Sequence, residues 1–308
     1  MIPLYDELPL VPGLGIPHAW DVLDRNTGSV SLIGSDQVRA AAGTVTEGEV
    51  VSLNLSLGLI DPPLFGRNPF RHKVIPVGRN ANEDQLDEYN PQSSSQWDGL
   101  RHIRAREHGF FGGVTDIADD DTETLSVEHW ARSGIVGRGV LLDVAAFLAA
   151  QGRALDPFAG DEIPAADLEA TRRAQGVQLR HGDILCVRTG WVSAYRELDA
   201  DGQADPLLSK RFSGLRADSE TARFFWDNHV AAIGADNPAI EPAPGDPTVG
   251  YLHWRLQPTL GMAVAELLDL DRLARRCAEL SRWEFLFVAV PLPIPGGVSS
   301  PSNAVAIL

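Results

Sequence analysis

Cysteine is scarce in this 308-residue chain, and its scarcity excludes several classes of protein. Cys186 and Cys277 are too few for the disulfide framework of a small secreted domain, and they form no C-x-x-C pair typical of zinc or redox sites. The sequence also has no run of about 20 apolar residues that would predict a membrane span. Its first residues lack the pattern of a secretory signal. We therefore expect a cytoplasmic protein that does not bind membranes.

The chain also has fewer basic residues than acidic ones. Lysine and arginine total 26 against 42 aspartates and glutamates, which gives a formal net charge of −16. A field of that sign repels the phosphates of nucleic acids, so nucleic-acid binding is disfavoured and a small-molecule substrate is favoured. With 44% hydrophobic residues, a chain of this length can bury a large core without help from disulfides or a structural metal.

The pattern of the chain changes near residue 134. The first hundred residues are rich in proline and glycine and predict short strands and loops, such as a strand at 50–55. The polar stretch 67–95 predicts a long irregular loop that covers another part of the molecule. Beyond residue 134, buried strands alternate with helices. The predicted strands are 134–143, 183–191, 230–233 and 285–290, and the predicted helices are 145–151, 165–175, one that begins after Asp218, and 264–280.

This alternation of strands and helices is typical of an α/β protein. The strand-rich first part adds a further layer, so we expect mixed sheets with peripheral helices. No linker rich in glycine, serine or proline divides the chain. The sequence therefore predicts a single domain over residues 1–308.

One cluster of reactive side chains lies in the segment QWDGLRH, residues 96–102. The carboxylate of Asp98 precedes the imidazole of His102 by four positions, and the amide of Gln96 lies just before them. Such groups can bind a metal, or can form a general base with its orienting partner. The segment also fits a plain turn in which Asp98 caps a helix and His102 faces solvent, so both interpretations stay open.

A second cluster lies in residues 234–270, where His253 precedes Glu266 by thirteen positions with Gly261 between them. A proline-rich, acidic loop leads into this cluster. The spacing by itself is weak evidence for a site. A hydrogen-bonded core histidine at His253 and a solvated first helical turn at Glu266 would explain the residues equally well.

Aromatic and basic side chains flank both clusters and form a candidate substrate-binding set. Its members are Trp97, Phe110, Phe111, Trp254 and Arg101. The rings favour an aromatic or flat cyclic substrate, although core packing is an equally good explanation. Arg101, with Arg104 and Arg106, can receive a carboxylate on the substrate, or can pair with acidic residues at the surface.

Five segments in order give the sequence a resemblance to the cyclase family of metal-dependent hydrolases, which includes bacterial kynurenine formamidase and isatin hydrolase. They are QWDGLRH, GIVGRGVLLDV, GDILCVRTGW, GADNPAIEP and LHWRLQPTLGMAVAELLDL. The resemblance implies a swivelling β/β/α fold and a homodimer or homotetramer. It also implies hydrolysis of an amide, formamide, lactam or lactone by water activated on zinc or manganese.

The chain departs from the family signature H-x-G-T-H-x-D-x-P-x-H. Placing the aspartate on Asp98 puts the catalytic histidine on His102, and puts Gln92 and Gln96 at the two metal-binding histidines. The resemblance then implies a single divalent ion, manganese or zinc, held by Asp98, His253 and Glu266, with Gln96 as a further candidate.

The separation of His253 and Glu266 is also one residue longer than is typical of the family. On a helix, one extra residue would rotate Glu266 by about 100° around the axis. The sequence therefore leaves open whether Glu266 reaches the site.

His102 is the implied general acid/base, and Asp98 is placed beside it in the catalytic pair. One alternative is a metal-independent cyclase, dehydratase or lyase that uses only these two residues, whose turnover would survive chelation. A second alternative is a non-catalytic relative that binds a small molecule. Such a protein would be stabilised by its ligand without turnover.

Overall fold

A computed structural model describes residues 2–308, and it places the strands in one large sheet and two small ones. The strands are β1 (Val50–Ser52), β2 (Arg71–Val77), β3 (Ala81–Asp87), β4 (Gln96–Asp98), β5 (Ile135–Asp143), β6 (Glu162–Ile163), β7 (Ile184–Arg188), β8 (Gly214–Leu215), β9 (Ala232–Ala235), β10 (Ala263–Glu266), β11 (Glu284–Ala289), β12 (Ser299–Pro301) and β13 (Ala304–Ile307). The helices are α1 (Ser35–Ala42), α2 (Glu128–Ser133), α3 (Val144–Ala150), α4 (Ala165–Ala174), α5 (Trp191–Glu197), α6 (Ala200–Gln203), α7 (Ser219–Asp227), α8 (Leu252–Leu256) and α9 (Asp271–Leu280).

The large sheet is parallel at its centre and antiparallel at both sides. Its strand order is β1-β13-β11-β5-β7-β9-β10-β4-β12. Strands β5, β7, β9 and β10 run parallel, whereas β4 pairs antiparallel with β10 and β11 pairs antiparallel with β5. The carboxyl ends of the parallel strands therefore meet at one edge, which is where α/β sheets usually bind ligands.

Two hydrophobic cores cover the two faces of this sheet. Alternate residues of one strand go to different cores: Leu141 of β5 packs with α9, while Leu142 packs with α3, α4, α7 and α8. Strands buried on both faces appear in the sequence as nearly continuous apolar runs. This explains why β5 and β7 were recognisable without any alternation of apolar and polar residues.

Side-chain caps fix the starts of two helices where the sequence predicts them. The Asp143 carboxylate accepts a hydrogen bond from the Ala146 amide at 3.1 Å, and Asp218 accepts one from the Thr221 amide at 2.9 Å. Each cap satisfies a backbone donor that the helix leaves free. The predicted helices α3, α4 and α7 are confirmed, as is the α/β architecture of mixed sheets with peripheral helices.

Two sequence-based assignments were wrong. The predicted helix at 264–280 is the buried strand β10 followed by α9, because four buried residues in a row do not distinguish a strand from a helix. The predicted irregular loop 67–95 contains the hairpin of β2 and β3. Nearly every residue of that hairpin is exposed on both faces, so the sequence has no apolar alternation to reveal its strands.

Across residues 2–308, no helix combines the length and the apolar character that crossing a membrane requires.

Candidate active site

The antiparallel pair of β4 and β10 places two carboxylates on one face of the large sheet. Asp98 lies opposite Val264, and Gln96 lies opposite Glu266. Directly paired residues point to the same face, and side chains alternate along each strand. Gln96, Asp98 and Glu266 therefore share a face, while Trp97 points to the other.

The strand position of Glu266 removes the question raised by its spacing from His253. The helical position that would have allowed one extra residue to rotate Glu266 does not occur, because Glu266 lies on β10. The chain from α8 reaches β10 through Gly261, which has φ of +66°. A side chain there would start 2.6 Å from the Phe111 ring, so both the turn and the close packing require glycine.

Helix α8 brings His253 to the two carboxylates. Its Nε2 atom lies 3.0 Å from Glu266 Oε1 and 3.9 Å from Asp98 Oδ2. One ligand atom from each of the three side chains lies within 4.8 Å of the other two, and all three residues are buried. The structure thus brings together the predicted trio of Asp98, His253 and Glu266.

The trio has the chemistry of a divalent metal site. Asp98 Oδ2 and Glu266 Oε1 are buried, and apart from His253 Nε2, which lies 3.0 Å from Glu266 Oε1, neither has a hydrogen-bond partner among residues 2–308. Desolvated carboxylate oxygens without partners are costly, and a cation would satisfy both. Two carboxylates and one imidazole are ligands that zinc and manganese accept. The buried cluster is therefore compatible with a metal ion.

The two glutamines at the histidine positions of the family signature orient the carboxylates. Gln92 Nε2 donates to Asp98 Oδ1 at 2.7 Å, and Gln96 Nε2 donates to Glu266 Oε2 at 2.7 Å. Each amide binds one carboxylate oxygen and leaves the other facing the cluster. Gln96 Oε1 has no hydrogen-bond partner within residues 2–308, and its role as a metal ligand stays a prediction.

Glu241 holds His253 and was not identified from the sequence. Its Oε1 lies 3.0 Å from His253 Nδ1, and its Oε2 accepts a hydrogen bond from the His253 backbone amide at 2.8 Å. With Nδ1 donating to Glu241, the Nε2 atom is the one directed at the carboxylates. The only sequence signal for this role is the position of Glu241 in the acidic loop before His253.

Burial and close charges shift the pKa values of the trio. Burial, and after it the Asp98 charge, raise the pKa of Glu266 to about 7. Burial alone would lower the pKa of His253, but Glu241, Asp98 and Glu266 outweigh it and raise that pKa well above its ordinary value. Burial opposes ionisation of Asp98, yet His102 and His253 keep its pKa below the ordinary range.

The three residues open into a cavity of about 310 Å³, a size suited to a small molecule. Its lining includes Asp98, His102, Glu241, His253, Glu266, Ile103, Pro238, Ala239, Phe65, Arg67, Tyr251 and Trp254. His102 Nε2 lies 3.6 Å from Asp98 Oδ2. Burial lowers the pKa of His102, so its imidazole is neutral near pH 7 and can accept a proton.

Trp254 lies in the cavity wall, where the sequence predicted a substrate contact. Three further wall residues were missed, namely Phe65, Arg67 and Tyr251. Arg67 begins the polar stretch that was expected to cover something, and Tyr251 lies two positions before His253. No residue pattern in the sequence links Phe65 or Arg67 to the two reactive clusters, because the chain brings them together only on folding.

The predicted substrate contacts of Trp97, Phe111 and Phe110 were wrong. Trp97 is fully buried on the opposite face of the sheet, where its Nε1 donates to the Ser302 carbonyl at 2.9 Å. Phe111 is fully buried against Gly261. Phe110 packs under the guanidinium of Arg104 and does not line the cavity. These rings belong to the core.

The assignment of Arg101 to substrate binding was also wrong. Its guanidinium donates to the carbonyl oxygens of Thr124, Gly296 and Asp121 and does not line the cavity. These contacts tie the segment after β4 to two neighbouring loops. The function of Arg101 is therefore structural.

Comparison with known protein families matches part of the chain to one family. The sequence model of a family described as "Putative cyclase" matches residues 53–242. The matched segment covers more than half of the chain. No curated protein matches the chain.

Solved structures share the fold over most of its length. A crystal structure described as a novel cyclase has 28% sequence identity and a TM-score of 0.84, covering 97% of this chain and 100% of that one. Isatin hydrolase A from Labrenzia aggregata, bound to benzyl benzoate, has 18% identity and a TM-score of 0.58, covering 88% and 97%. An isatin hydrolase bound to the product analogue thioisatinate has 17% identity and a TM-score of 0.59, covering 90% and 99%.

Proposed function

The chain belongs to the cyclase family, and from this premise we propose that it is a metal-dependent hydrolase of an amide, formamide, lactam or lactone bond. One divalent ion, manganese or zinc, is held by Asp98, His253 and Glu266. The similar folds of isatin hydrolases agree with this reaction class. The observation that carries the proposal is the pair of buried carboxylate oxygens, Asp98 Oδ2 and Glu266 Oε1, that converge on His253 Nε2 and have no other partner in the described chain.

Each residue of the site has a distinct part in this reaction. An ion held here supplies Lewis-acid activation of water and of the substrate carbonyl. His102 is neutral near pH 7 and faces the cavity, so it accepts the proton of the attacking water and returns it to the leaving nitrogen or oxygen. Trp254 and Tyr251 provide flat apolar surface for the remainder of the substrate.

The first experiment measures metal content per chain by elemental analysis on protein without a histidine tag. We expect about one equivalent of manganese or zinc in the wild type, because three ligands suffice for one ion. His253→Ala and Asp98→Ala should lose it. A wild type that takes up neither ion after incubation with manganese and zinc salts would overturn the proposed mechanism.

A panel of formamides, lactams and lactones then tests the reaction. Chelation should abolish hydrolysis, and His102→Ala should keep the ion but lose activity by roughly 10²- to 10⁴-fold, the usual contribution of general acid/base catalysis. His129→Ala is the matched control, since His129 lies on α2 outside the cavity. Turnover that survives chelation but not His102→Ala would instead indicate the metal-independent acid/base enzyme.

A further inference from the structure

Arg67 is the one lysine or arginine that lines the cavity within the described chain. Its Nη1 atom donates to the Gln92 carbonyl oxygen, and its guanidinium lies over the Phe65 ring at 5.0 Å from the centroid. These two contacts fix the plane of the group and leave other donors free. Among residues 2–308, no carboxylate lies within salt-bridge distance of Arg67, whereas Arg138 and Arg188 are each paired with aspartates.

The negative charges near Arg67 have other partners. Asp98 and Glu266 face His253 as candidate ligands, and their two charges balance those of a divalent ion. Glu241 is occupied by the ring Nδ1 and the backbone amide of His253. Arg67 is therefore the cation that remains available to a group entering the cavity.

Another part of the cavity lining is aromatic. Tyr251 and Trp254 contact each other with ring centroids 5.0 Å apart, and both line the space that Arg67 borders. A planar ring stacks well on such surfaces, and a guanidinium binds a carboxylate with two parallel hydrogen bonds. The combination matches a flat molecule that carries a carboxylate.

We propose that Arg67 binds a carboxylate of the substrate, so that the substrates are planar cyclic or aromatic amides or esters that carry a carboxylate group. The reaction part of this statement rests on the proposed hydrolase function, but the carboxylate binding does not. This proposal assigns carboxylate binding to Arg67 and no longer to the three arginines that the sequence suggested, Arg101, Arg104 and Arg106. Arg101 is occupied by backbone carbonyls, and Arg104 is exposed and lies over Phe110. Arg106 is exposed and stacks on Trp254, 4.9 Å from its ring centroid, but does not itself line the cavity.

Calorimetric titration of the metal-loaded protein with benzoate and with benzamide tests this assignment. The two probes have the same ring and differ in charge. In Arg67→Met, we expect the Kd of benzoate to rise about 10- to 100-fold, since a hydrogen-bonded charge is lost, while the Kd of benzamide stays unchanged. Arg67→Lys should be intermediate, because it keeps the charge without the planar fork.

Arg104→Met is the matched control, since it removes an exposed arginine that packs on Phe110 outside the cavity. It should bind both probes as the wild type does. Equal benzoate affinity in the wild type and Arg67→Met would overturn the proposal, as would a wild type that binds no benzoate. Unchanged benzamide binding in Arg67→Met shows that the cavity is still folded.

Benzoate can also ligate the metal directly, and chelation separates the two sources of affinity. Affinity that disappears on chelation but is equal in the wild type and Arg67→Met belongs to the ion and contradicts the role of Arg67. Metal content is measured on the same samples. A protein that holds no metal yet binds benzoate through Arg67 would refute the hydrolase while supporting the carboxylate site.

Discussion

At the scale of single residues, the site depends on side chains that hydrogen-bond to the candidate ligands and orient them. Gln92, Gln96 and Glu241 each bind one side of a ligand and turn its other side toward the cluster. Groups of this kind commonly set the affinity of a metal site, because they limit the orientations of the ligands. Substitutions at two buried carboxylates give predictions at this scale. Glu241 holds a candidate ligand, and Asp236 is a separate buried group.

The first is Glu241. Glu241→Gln keeps the shape of the side chain but weakens its hold on His253, and we expect the dissociation constant of the bound metal to rise about 10- to 100-fold. Competition with a chromophoric chelator measures it. Glu83→Gln in the exposed hairpin serves as the control. An unchanged metal affinity with normal thermal stability would show that Glu241 does not orient the ligand.

The second is Asp236, which follows β9 and is fully buried. Its carboxylate accepts hydrogen bonds from the Thr189 amide and hydroxyl and from the Gly190 amide, at 2.6 to 2.9 Å. Burial nevertheless raises its pKa to about 6 from an ordinary 3.8. Between these values the folded protein keeps a proton that the unfolded chain has lost. Ionisation of Asp236 therefore destabilises the fold as the pH rises.

We expect the free energy of unfolding of the wild type, relative to Asp236→Asn, to fall by about 2 kcal/mol from pH 4 to pH 7. The fall is complete once the pH exceeds the pKa of about 6. Urea unfolding followed by tryptophan fluorescence measures the difference at each pH, and the other titrating groups largely cancel between the two proteins. If the free energy of unfolding of the wild type relative to Asp236→Asn stays constant or grows with pH, the three hydrogen bonds to the Asp236 carboxylate outweigh the effect of its burial.

At the scale of elements, the hairpin of β2 and β3 stands apart from both cores. Its strands expose Val74, Ile75, Val77 and Leu86, with exposed fractions of 38–57%. A two-stranded ribbon that packs against nothing is marginally stable in water. In the homodimer or homotetramer that the resemblance implies, we expect a second copy of this chain to cover these side chains.

We therefore expect Val74→Ser/Leu86→Ser to lower the molar mass in solution to that of one 33.3 kDa chain, while the wild type is a dimer or tetramer. The two residues share one face of the hairpin, since Val74 pairs with Asp84 and Leu86 with His72. Light scattering coupled to gel filtration measures the mass. Leu207→Ser replaces an equally exposed leucine elsewhere. A monomeric wild type, or a variant of wild-type mass, contradicts the expectation.

At the scale of the whole molecule, metal binding and stability are linked. The candidate ligands come from β4, α8 and β10, and β4 is far in the sequence from the other two and adjacent to them only in the fold. An ion that binds this folded arrangement and not the unfolded chain must stabilise the protein.

At a free metal concentration of about 100 times the Kd, the gain is about 2.7 kcal/mol, or roughly 4 °C in melting temperature for a chain of this size. Differential scanning calorimetry with manganese, zinc or a chelator measures the shift. His253→Ala should melt at one temperature under all three conditions. A shift of similar size in His253→Ala would assign the stabilisation to another site.

Much of the architecture follows from sequence pattern alone. Strands β5 and β7 are recognisable because burial on both faces makes them continuously apolar, and α3 and α7 because aspartates cap their first turns. Strand β11 is also an apolar run, although only alternate residues of it are buried. The sequence likewise identifies Asp98, His102, His253 and Glu266 as candidate site residues, through reactive side chains in segments that resemble a known family, and the structure places all four in the cavity lining.

Only the tertiary structure determines which of these side chains lie together. The strand state of Glu266 depends on β9 and β4 on either side of it, and no local propensity specifies those neighbours. The same pairing sends Trp97 into the core although it adjoins a candidate ligand, since successive strand residues point to opposite faces. Arg67 reaches the cavity from the segment before β2, and Glu241 and Tyr251 reach it from the loop between β9 and α8. Sequence can show which side chains are reactive, but convergence of distant loops is a property of the folded chain.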